Sequence, residues 1–85
     1  MTTFATVVDQ GSFAAASRLL DVDQAIVTRQ VAALEKHLGV KLLERTTRSM
    51  RLTDAGEAYL ARCREILADV EEAEATVGRA HQALE

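Results

Sequence analysis

One face of a central segment with helical periodicity carries hydrogen-bonding, basic and small side chains and no large hydrophobe. Its members nearest the start of the segment are Gln24, Ala25, Thr28 and Arg29. A glutamine amide can pair with N6 and N7 of adenine, and an arginine with O6 and N7 of guanine, each pair discriminating by about 1–3 kcal/mol. A threonine offers a hydroxyl to a phosphate or a methyl to thymine. These residue types therefore indicate a face that could read the edges of DNA bases.

The charges are divided unequally along the chain. Residues 24–53 carry six lysines and arginines against two acidic residues, a net charge of +4. Residues 54–85 carry three against eight, a net charge of −5, so the overall value of −3 hides a basic segment joined to an acidic one. A basic segment of this kind favours a polyanionic partner.

Two short helices are predicted before the polar face. Residues 4–8 are apolar and should form the first helix, which ends near Gly11 because glycine readily closes a helix C-terminus. Ser12 is placed to cap a second helix at residues 13–20. The small side chains of this second helix would let another helix approach closely.

The polar face lies on a third predicted helix, residues 24–38. A turn at residues 21–23 precedes it, in which we expect Val22 to be buried and Asp23 to cap the helix. Gly39 should end it. An apolar stripe at helical spacing is expected to face the core and consists of Val27, Val31, Leu34 and Leu38.

After Gly39 the pattern becomes that of a β-hairpin. Residues 40–44 and 50–52 predict two short strands, and the polar residues 45–49 predict the hairpin tip between them. Thr53 is then placed to cap a long last helix. The expected fold is mainly α: three helices, a two-stranded hairpin and a long final helix.

The last helix carries apolar residues at alternating spacings of four and three from Tyr59 to Leu84. A heptad pattern of this length predicts packing against another helix. No other predicted helix is long enough to cover it, so we expect a homodimer through the same helix of a second subunit, in either orientation. We expect Tyr59 to pack where this helix leaves the N-terminal part. The residues assigned to the dimerisation seam are Cys63, Ile66, Val70, Ala73, Val77, Ala80 and Leu84.

Five segments match one family in order and spacing: GSFAAA at 11–16, DQAIVTRQV at 23–31, ALE at 33–35, LGVKLLER at 38–45 and LTDAG at 52–56. Together they resemble the N-terminal domain of LysR-type transcriptional regulators. The resemblance implies a winged helix-turn-helix DNA-binding domain at residues 1–53 and a dimerising linker helix at residues 54–85. It further implies sequence-specific binding of double-stranded DNA at an inverted-repeat promoter site. The effector-sensing domain of the family would be absent, and the full-length parent could be a higher oligomer.

The resemblance also implies how the residues contact DNA. The third helix would enter the major groove with the four residues of the polar face nearest the bases. The hairpin would form the wing and lie along the backbone or minor groove, with Arg48 at its tip and Arg45 and Arg51 beside it. A salt bridge at the strand ends is an equally good interpretation of Arg45 and Arg51.

Two positions depart from the usual pattern of the family. Asp23-Gln24-Ala25 stands where Ser-Gln-Pro is usual, and Ala14 replaces a residue that commonly carries a hydroxyl. Both changes remove or alter a contact that the family could make with DNA. They bear on the sequence preference rather than on the fold.

No motif indicates an enzyme, because the chain has no glycine-rich phosphate loop, nucleophile elbow or carboxylate pair. With isolated histidines and a single cysteine, no metal or cofactor is expected. No membrane-spanning run or signal peptide is present, which favours a cytoplasmic protein. The alternative function is a winged-helix protein-interaction module that acts through its coiled-coil helix. The polar and basic face of the third helix favours DNA instead.

Overall fold

The computed structural model describes residues 1–46 and 49–84, with side chains described as far as residue 79. The elements in these residues are α1 (Thr2–Gln10), α2 (Phe13–Leu20), α3 (Gln24–Leu38), β1 (Leu43–Arg45), β2 (Met50–Leu52) and α4 (Asp54–Leu84). This order confirms the predicted winged helix-turn-helix followed by a long helix. In the described part of the chain, no helix is both long and apolar enough to cross a membrane.

The junction between α1 and α2 follows from two neighbouring residues. Gly11 adopts a left-handed conformation, φ 80°, and its N–H donates to the carbonyls of Val7 and Val8 at 3.0 and 3.2 Å. The Ser12 hydroxyl then accepts a hydrogen bond from the Ala15 N–H at 3.0 Å. The predicted C-terminal glycine and N-cap serine are therefore both confirmed.

The turn between α2 and α3 differs from the prediction in its side chains. Asp21 takes the left-handed conformation, φ 57°, and the Val22 N–H donates to the carbonyl of Ser17 at 3.1 Å. This turn leaves the Val22 side chain 38% exposed, so the prediction that it is buried is wrong. Asp23 occupies the N-cap position of α3 as predicted, but its side chain makes no capping hydrogen bond.

The core is formed where α1, α2 and α3 pack together and where the start of α4 closes over them. From the predicted stripe of α3, Val27 and Val31 are buried and Leu34 is half-buried. Leu38 is 38% exposed, so its assignment to the core is wrong; as the last residue of α3 it lies beyond the packed part. The buried apolar side chains are those of Phe4, Ala5, Val7, Phe13, Ala16, Val27, Val31, Leu42, Leu43, Leu60 and Cys63.

The wing is the antiparallel pair β1–β2, in which Leu43 pairs with Leu52 and Arg45 with Met50. The first strand begins at Leu43 rather than at residue 40. The reason is that the Leu42 N–H donates to the Glu35 carboxylate at 2.7 Å, and the Leu42 carbonyl accepts from the Thr53 N–H at 3.0 Å. The backbone of Leu42 therefore joins the wing to α3 and to the start of α4.

Thr53 and the first two turns of α4 fasten the long helix to the domain. The Thr53 hydroxyl accepts from the Gly56 N–H at 2.9 Å, which confirms the predicted cap, and donates to the carbonyl of Lys41 at 2.6 Å. The Tyr59 ring packs on the Phe4 ring at 5.7 Å between centroids, as expected for the point where α4 leaves the domain.

Cys63 marks the last fully buried position of α4. Its side chain is 0% exposed within this chain, so it belongs to the domain core and is closed to a second subunit. Its assignment to the dimerisation seam is therefore corrected. Beyond Leu67, every position from 68 to 79 is exposed.

Candidate nucleic-acid interface

The polar face of α3 lies on the surface, because the opposite face carries Val27 and Val31 into the core. Gln24, Ala25 and Arg29 are exposed and Thr28 is half-buried. No described residue hydrogen-bonds or ion-pairs with the Gln24 amide or the Arg29 guanidinium. Both groups are thus free to meet a ligand, and the four residues predicted to read bases share one surface.

Two small residues of α2 lie in the core. Ala16 is fully buried there, where a longer side chain would displace its neighbours. Ser17 is also buried, and its hydroxyl donates a hydrogen bond to the carbonyl of Ala14 at 2.7 Å, so this polar group is satisfied. The helix-turn-helix therefore presents α3 as a firmly supported element.

The structure separates the two arginines that flank the hairpin tip. Arg51 forms an ion pair with Glu44 on the neighbouring strand, at 3.4 Å, which is the salt-bridge interpretation. Arg45 forms no ion pair with a described residue, and its guanidinium carbon lies 4.2 Å from the centroid of the Phe13 ring. Arg48 lies outside the described residues, so its predicted contact stays a prediction.

The described residues at the base of the hairpin tip are held by short hydrogen bonds. The Thr46 N–H donates to the carbonyl of Ser49 at 2.8 Å, and the Ser49 N–H donates to the Thr46 hydroxyl at 3.0 Å. These bonds fix the direction in which the strands enter and leave the tip.

Glu35 is a positioning residue that the sequence analysis did not single out. Its side chain is 12% exposed, and its carboxylate accepts from the N–H groups of Leu42 and Leu43 at 2.7 and 3.3 Å, while the Lys41 Nζ lies 3.8 Å away. The carboxylate thus joins the end of α3 to the first strand of the wing. An acidic residue next to an apolar stripe, in an otherwise basic segment, was the available signal.

Two grooves lie on either side of the contact between Phe13 and Arg45. One, of about 420 Å³, separates α3 from the wing and includes Thr28 in its wall. The other, of about 330 Å³, separates the start of α2 from the wing and is lined by Ser12, Gln24 and Ser49. Within the described residues no cluster of three histidine, cysteine or acidic side chains could hold a metal ion.

The far part of α4 presents an apolar face to solvent. Ile66, Val70 and Val77 are 40%, 47% and 70% exposed, and Ala73 is exposed with them. The predicted seam residues Ala80 and Leu84 lie where side chains are not described. Use of this face by a second subunit stays a prediction.

Comparison with known proteins identifies the family of this arrangement. Residues 1–57 match the sequence profile described as bacterial regulatory helix-turn-helix protein, lysR family. A transcriptional repressor of Pseudomonas aeruginosa is 49% identical over 77 residues, which cover 91% of this chain and 24% of that protein. The transcriptional activator AaeR of Escherichia coli is 46% identical over 72 residues, 85% of this chain and 23% of that protein. The chain therefore spans about a quarter of the length of the relatives it matches.

Solved structures show the same architecture on DNA. The DNA-binding domain of CbnR in complex with DNA is 43% identical, with a TM-score of 0.78 over 98% of this chain and 92% of that one. The DNA-binding domain of BenM bound to the catB site 1 DNA is 31% identical, with a TM-score of 0.86 over 91% of this chain and 86% of that one.

Proposed function

The chain belongs to the LysR family of bacterial helix-turn-helix regulators and is a DNA-binding domain of that family, and from this premise we propose how it reads its site. Two subunits bind an inverted repeat in promoter DNA, each placing α3 in the major groove. Gln24 and Arg29 pair with base edges, while Ala25 and Thr28 contact bases or the adjacent phosphate. The wing lies along the backbone or minor groove.

The proposal rests on the Gln24 and Arg29 side chains, which have no partner among the described residues. Both are exposed near the N-terminal end of α3, and no described residue satisfies their hydrogen-bonding groups. An exposed arginine without an internal partner keeps all its donors for guanine or phosphate. By contrast, Arg51 of the wing is paired with Glu44, and Lys41 lies 3.8 Å from Glu35.

We also propose that the protein binds DNA as a dimer, and the exposed face of α4 supports this. The exposed apolar positions begin at Ile66, directly after the last core position, and recur at heptad spacing through Val77. A second copy of α4 would remove these side chains from water. We further infer that the protein works in the cytoplasm, where promoter DNA is accessible.

The test is selection of binding sites from a random duplex pool, with Arg29→Ala and the control Arg79→Ala run beside the wild type. Arg79 is exposed on α4, away from the polar face, so its variant removes the same charge elsewhere. We expect wild type and control to enrich two inverted half-sites and Arg29→Ala to lose the preference at one base pair. Enrichment unchanged by Arg29→Ala would contradict the assignment of α3 as the reading element. Failure of a folded wild type to bind any duplex would favour the protein-interaction alternative.

A further inference from the structure

The contact between Arg45 and Phe13 joins the wing to the first residue of α2. The guanidinium carbon lies 4.2 Å from the ring centroid, well within the range of about 6 Å for a cation–π contact. Phe13 is 6% exposed, and its ring is fixed in the core on its other side. The exposed Arg45 side chain, on a three-residue strand, is thus packed on an aromatic ring that the core holds in place.

The position of the Phe13–Arg45 contact indicates which group Arg45 would bind. Arg45 and Phe13 form part of the wall of both grooves described above, one towards Thr28 and one towards Gln24. The second groove also includes Ser12 and Ala14 at the start of α2, where the positive end of the helix dipole favours an anion. Arg45 therefore stands between the reading helix and a helix N-terminus.

The comparison with Arg51 shows what the ring contributes. Arg51 is drawn to a carboxylate on the neighbouring strand, which neutralises part of its attraction for an anion. Stacking on an aromatic ring orders Arg45 without cancelling its charge, and it leaves the guanidinium N–H groups at the ring edge available. Ordering before binding reduces the entropy lost when the contact forms.

We propose that Phe13 is a positioning residue for DNA binding: it holds the Arg45 guanidinium between α3 and the start of α2, where Arg45 binds a phosphate of the DNA backbone. This proposal rests on the proposed function. It assigns to Arg45 a contact that fixes the position of the domain on DNA without reading sequence. Phe13 itself touches no DNA and acts through Arg45.

The experiment measures binding of the 85-residue chain by fluorescence anisotropy to two duplexes of equal length, the selected site and a scrambled version of it. The variants are Arg45→Ala, Phe13→Leu, Phe13→Tyr and the double variant Phe13→Leu/Arg45→Ala. Arg29→Ala tests the proposed function in parallel, and Arg79→Ala is the charge control. Each titration is repeated between about 50 and 200 mM salt, because each phosphate contact contributes about 0.9 to the slope of log K against log salt. Circular dichroism gives the folded fraction of every variant, and affinities are referred to folded protein.

We expect Arg45→Ala to weaken binding to both duplexes by the same factor and to reduce the salt slope by about 0.9 for each bound subunit. Phe13→Leu fills the core without a ring, and should weaken binding to both duplexes about two- to fivefold, in line with the strength of an exposed cation–π pair. Phe13→Tyr keeps the ring face and should bind like wild type. In the Arg45→Ala background, Phe13→Leu should cause no further loss.

Four results would overturn the inference. An equal effect of Phe13→Leu with and without Arg45 would show that Phe13 acts through the fold alone. A loss with Arg45→Ala on the selected duplex only would show base readout instead of phosphate binding. An unchanged Arg45→Ala beside a defective Arg29→Ala would reject this inference and leave the proposed function standing. Absence of binding by folded wild type to either duplex would reject both.

Discussion

Replacing Gly56 by alanine would place a Cβ atom against the backbone of the residue that connects the wing to α3 and α4. A Cβ built on Gly56 lies 2.1 Å from the Leu42 carbonyl oxygen, 3.0 Å from its carbonyl carbon and 3.0 Å from a methyl group of Leu52. The nearest atom belongs to the backbone and cannot move away by changing a rotamer. That carbonyl also accepts the Thr53 N–H, so displacing it disturbs a second contact.

The expected loss of stability can be worked from two opposing terms. Overpacking a well-filled site costs about 1–3 kcal/mol, and a backbone collision lies at the upper end of that range. Alanine in a helix is favoured over glycine by about 1 kcal/mol. The net destabilisation should therefore be about 2 kcal/mol, a fall in Tm of about 8–16 °C for a domain of this size.

The assay is urea unfolding followed by circular dichroism at a fixed protein concentration, because dimerisation would make stability depend on concentration. Gly78 provides a matched control, since it lies in the same helix and a Cβ there meets nothing within 4 Å. Gly78→Ala should stabilise the protein by about 0.5–1 kcal/mol. If Gly56→Ala were as stabilising as Gly78→Ala, the close approach of α4 to Leu42 would be refuted.

Three further variants, two of them with a control variant, test the remaining contacts. Glu35→Gln should destabilise the protein by about 1–2 kcal/mol in urea unfolding, because it replaces a charged acceptor of two backbone N–H groups by a neutral one. The control Lys41→Ala should change stability by less than about 0.5 kcal/mol, because it removes only an exposed partner of Glu35. Burial, and then the nearby Cys63, raise the pKa of Tyr59 in the folded protein above its usual 10.0. The neutral phenol therefore stabilises the fold relative to the unfolded chain. This contribution to the free energy of unfolding is complete below pH 10 and is lost as the pH rises through the higher folded pKa. Tyr59→Phe should lose less stability over that alkaline range than wild type, measured by urea unfolding at each pH. Val70→Asp should abolish dimerisation in sedimentation experiments while the helix content persists, and Ala75→Asp, on the opposite side of α4, should not.

Each of these three tests has an outcome that would count against the structure or against the proposed dimer. Equal effects of Glu35→Gln and Lys41→Ala would mean that the Glu35 carboxylate does not join α3 to the wing. Identical alkaline profiles for wild type and Tyr59→Phe would show that the phenol titrates as it does in water. A dimer that survives Val70→Asp would place the subunit contact elsewhere.

Local signals were sufficient for the bounds of α2 and α3, whereas α1 was predicted at residues 4–8 and spans Thr2–Gln10. Ser12 and Gly39 mark helix ends because a serine hydroxyl can accept an exposed N–H and glycine can adopt positive φ, properties that do not depend on the rest of the fold. The bounds of α2 and α3 were accordingly predicted as the structure has them. The start of β1 was misplaced because Leu42 bonds to Glu35, a partner on another element.

Burial could be predicted less well than helix boundaries, since it depends on which element covers each position. Leu38 continues the apolar stripe of α3, yet no element extends over the last turn. Cys63 continues the heptad pattern of α4, yet α4 still packs on its own domain at that point. Periodicity identifies the face of a helix but not where one partner ends and the next begins.

The same limitation applied to the wing arginines. Arg45 and Arg51 both flank the hairpin tip, and their sequence surroundings gave them equal interpretations. The strand register pairs Glu44 with Arg51, whereas Arg45 lies on the other side of the strand, over Phe13. Only the packing of α2 against the wing distinguishes Arg51, which is held in an ion pair, from Arg45, which has no ion-pair partner among the described residues.

The arrangement of charges explains how a chain with a net charge of −3 can bind a polyanion. The acidic residues of α4 beyond Leu67 are exposed on the part of the helix that extends past the domain. At 1.5 Å per residue, Glu71 lies about 26 Å along the helix from Asp54, which is more than three Debye lengths at physiological salt. A charge at such a distance from bound DNA is largely screened, whereas in the proposed complex the basic residues of α3 and the wing act at contact distance. At very low salt the screening weakens, so removing acidic residues from α4 should strengthen DNA binding there and have little effect near 150 mM, about the physiological ionic strength.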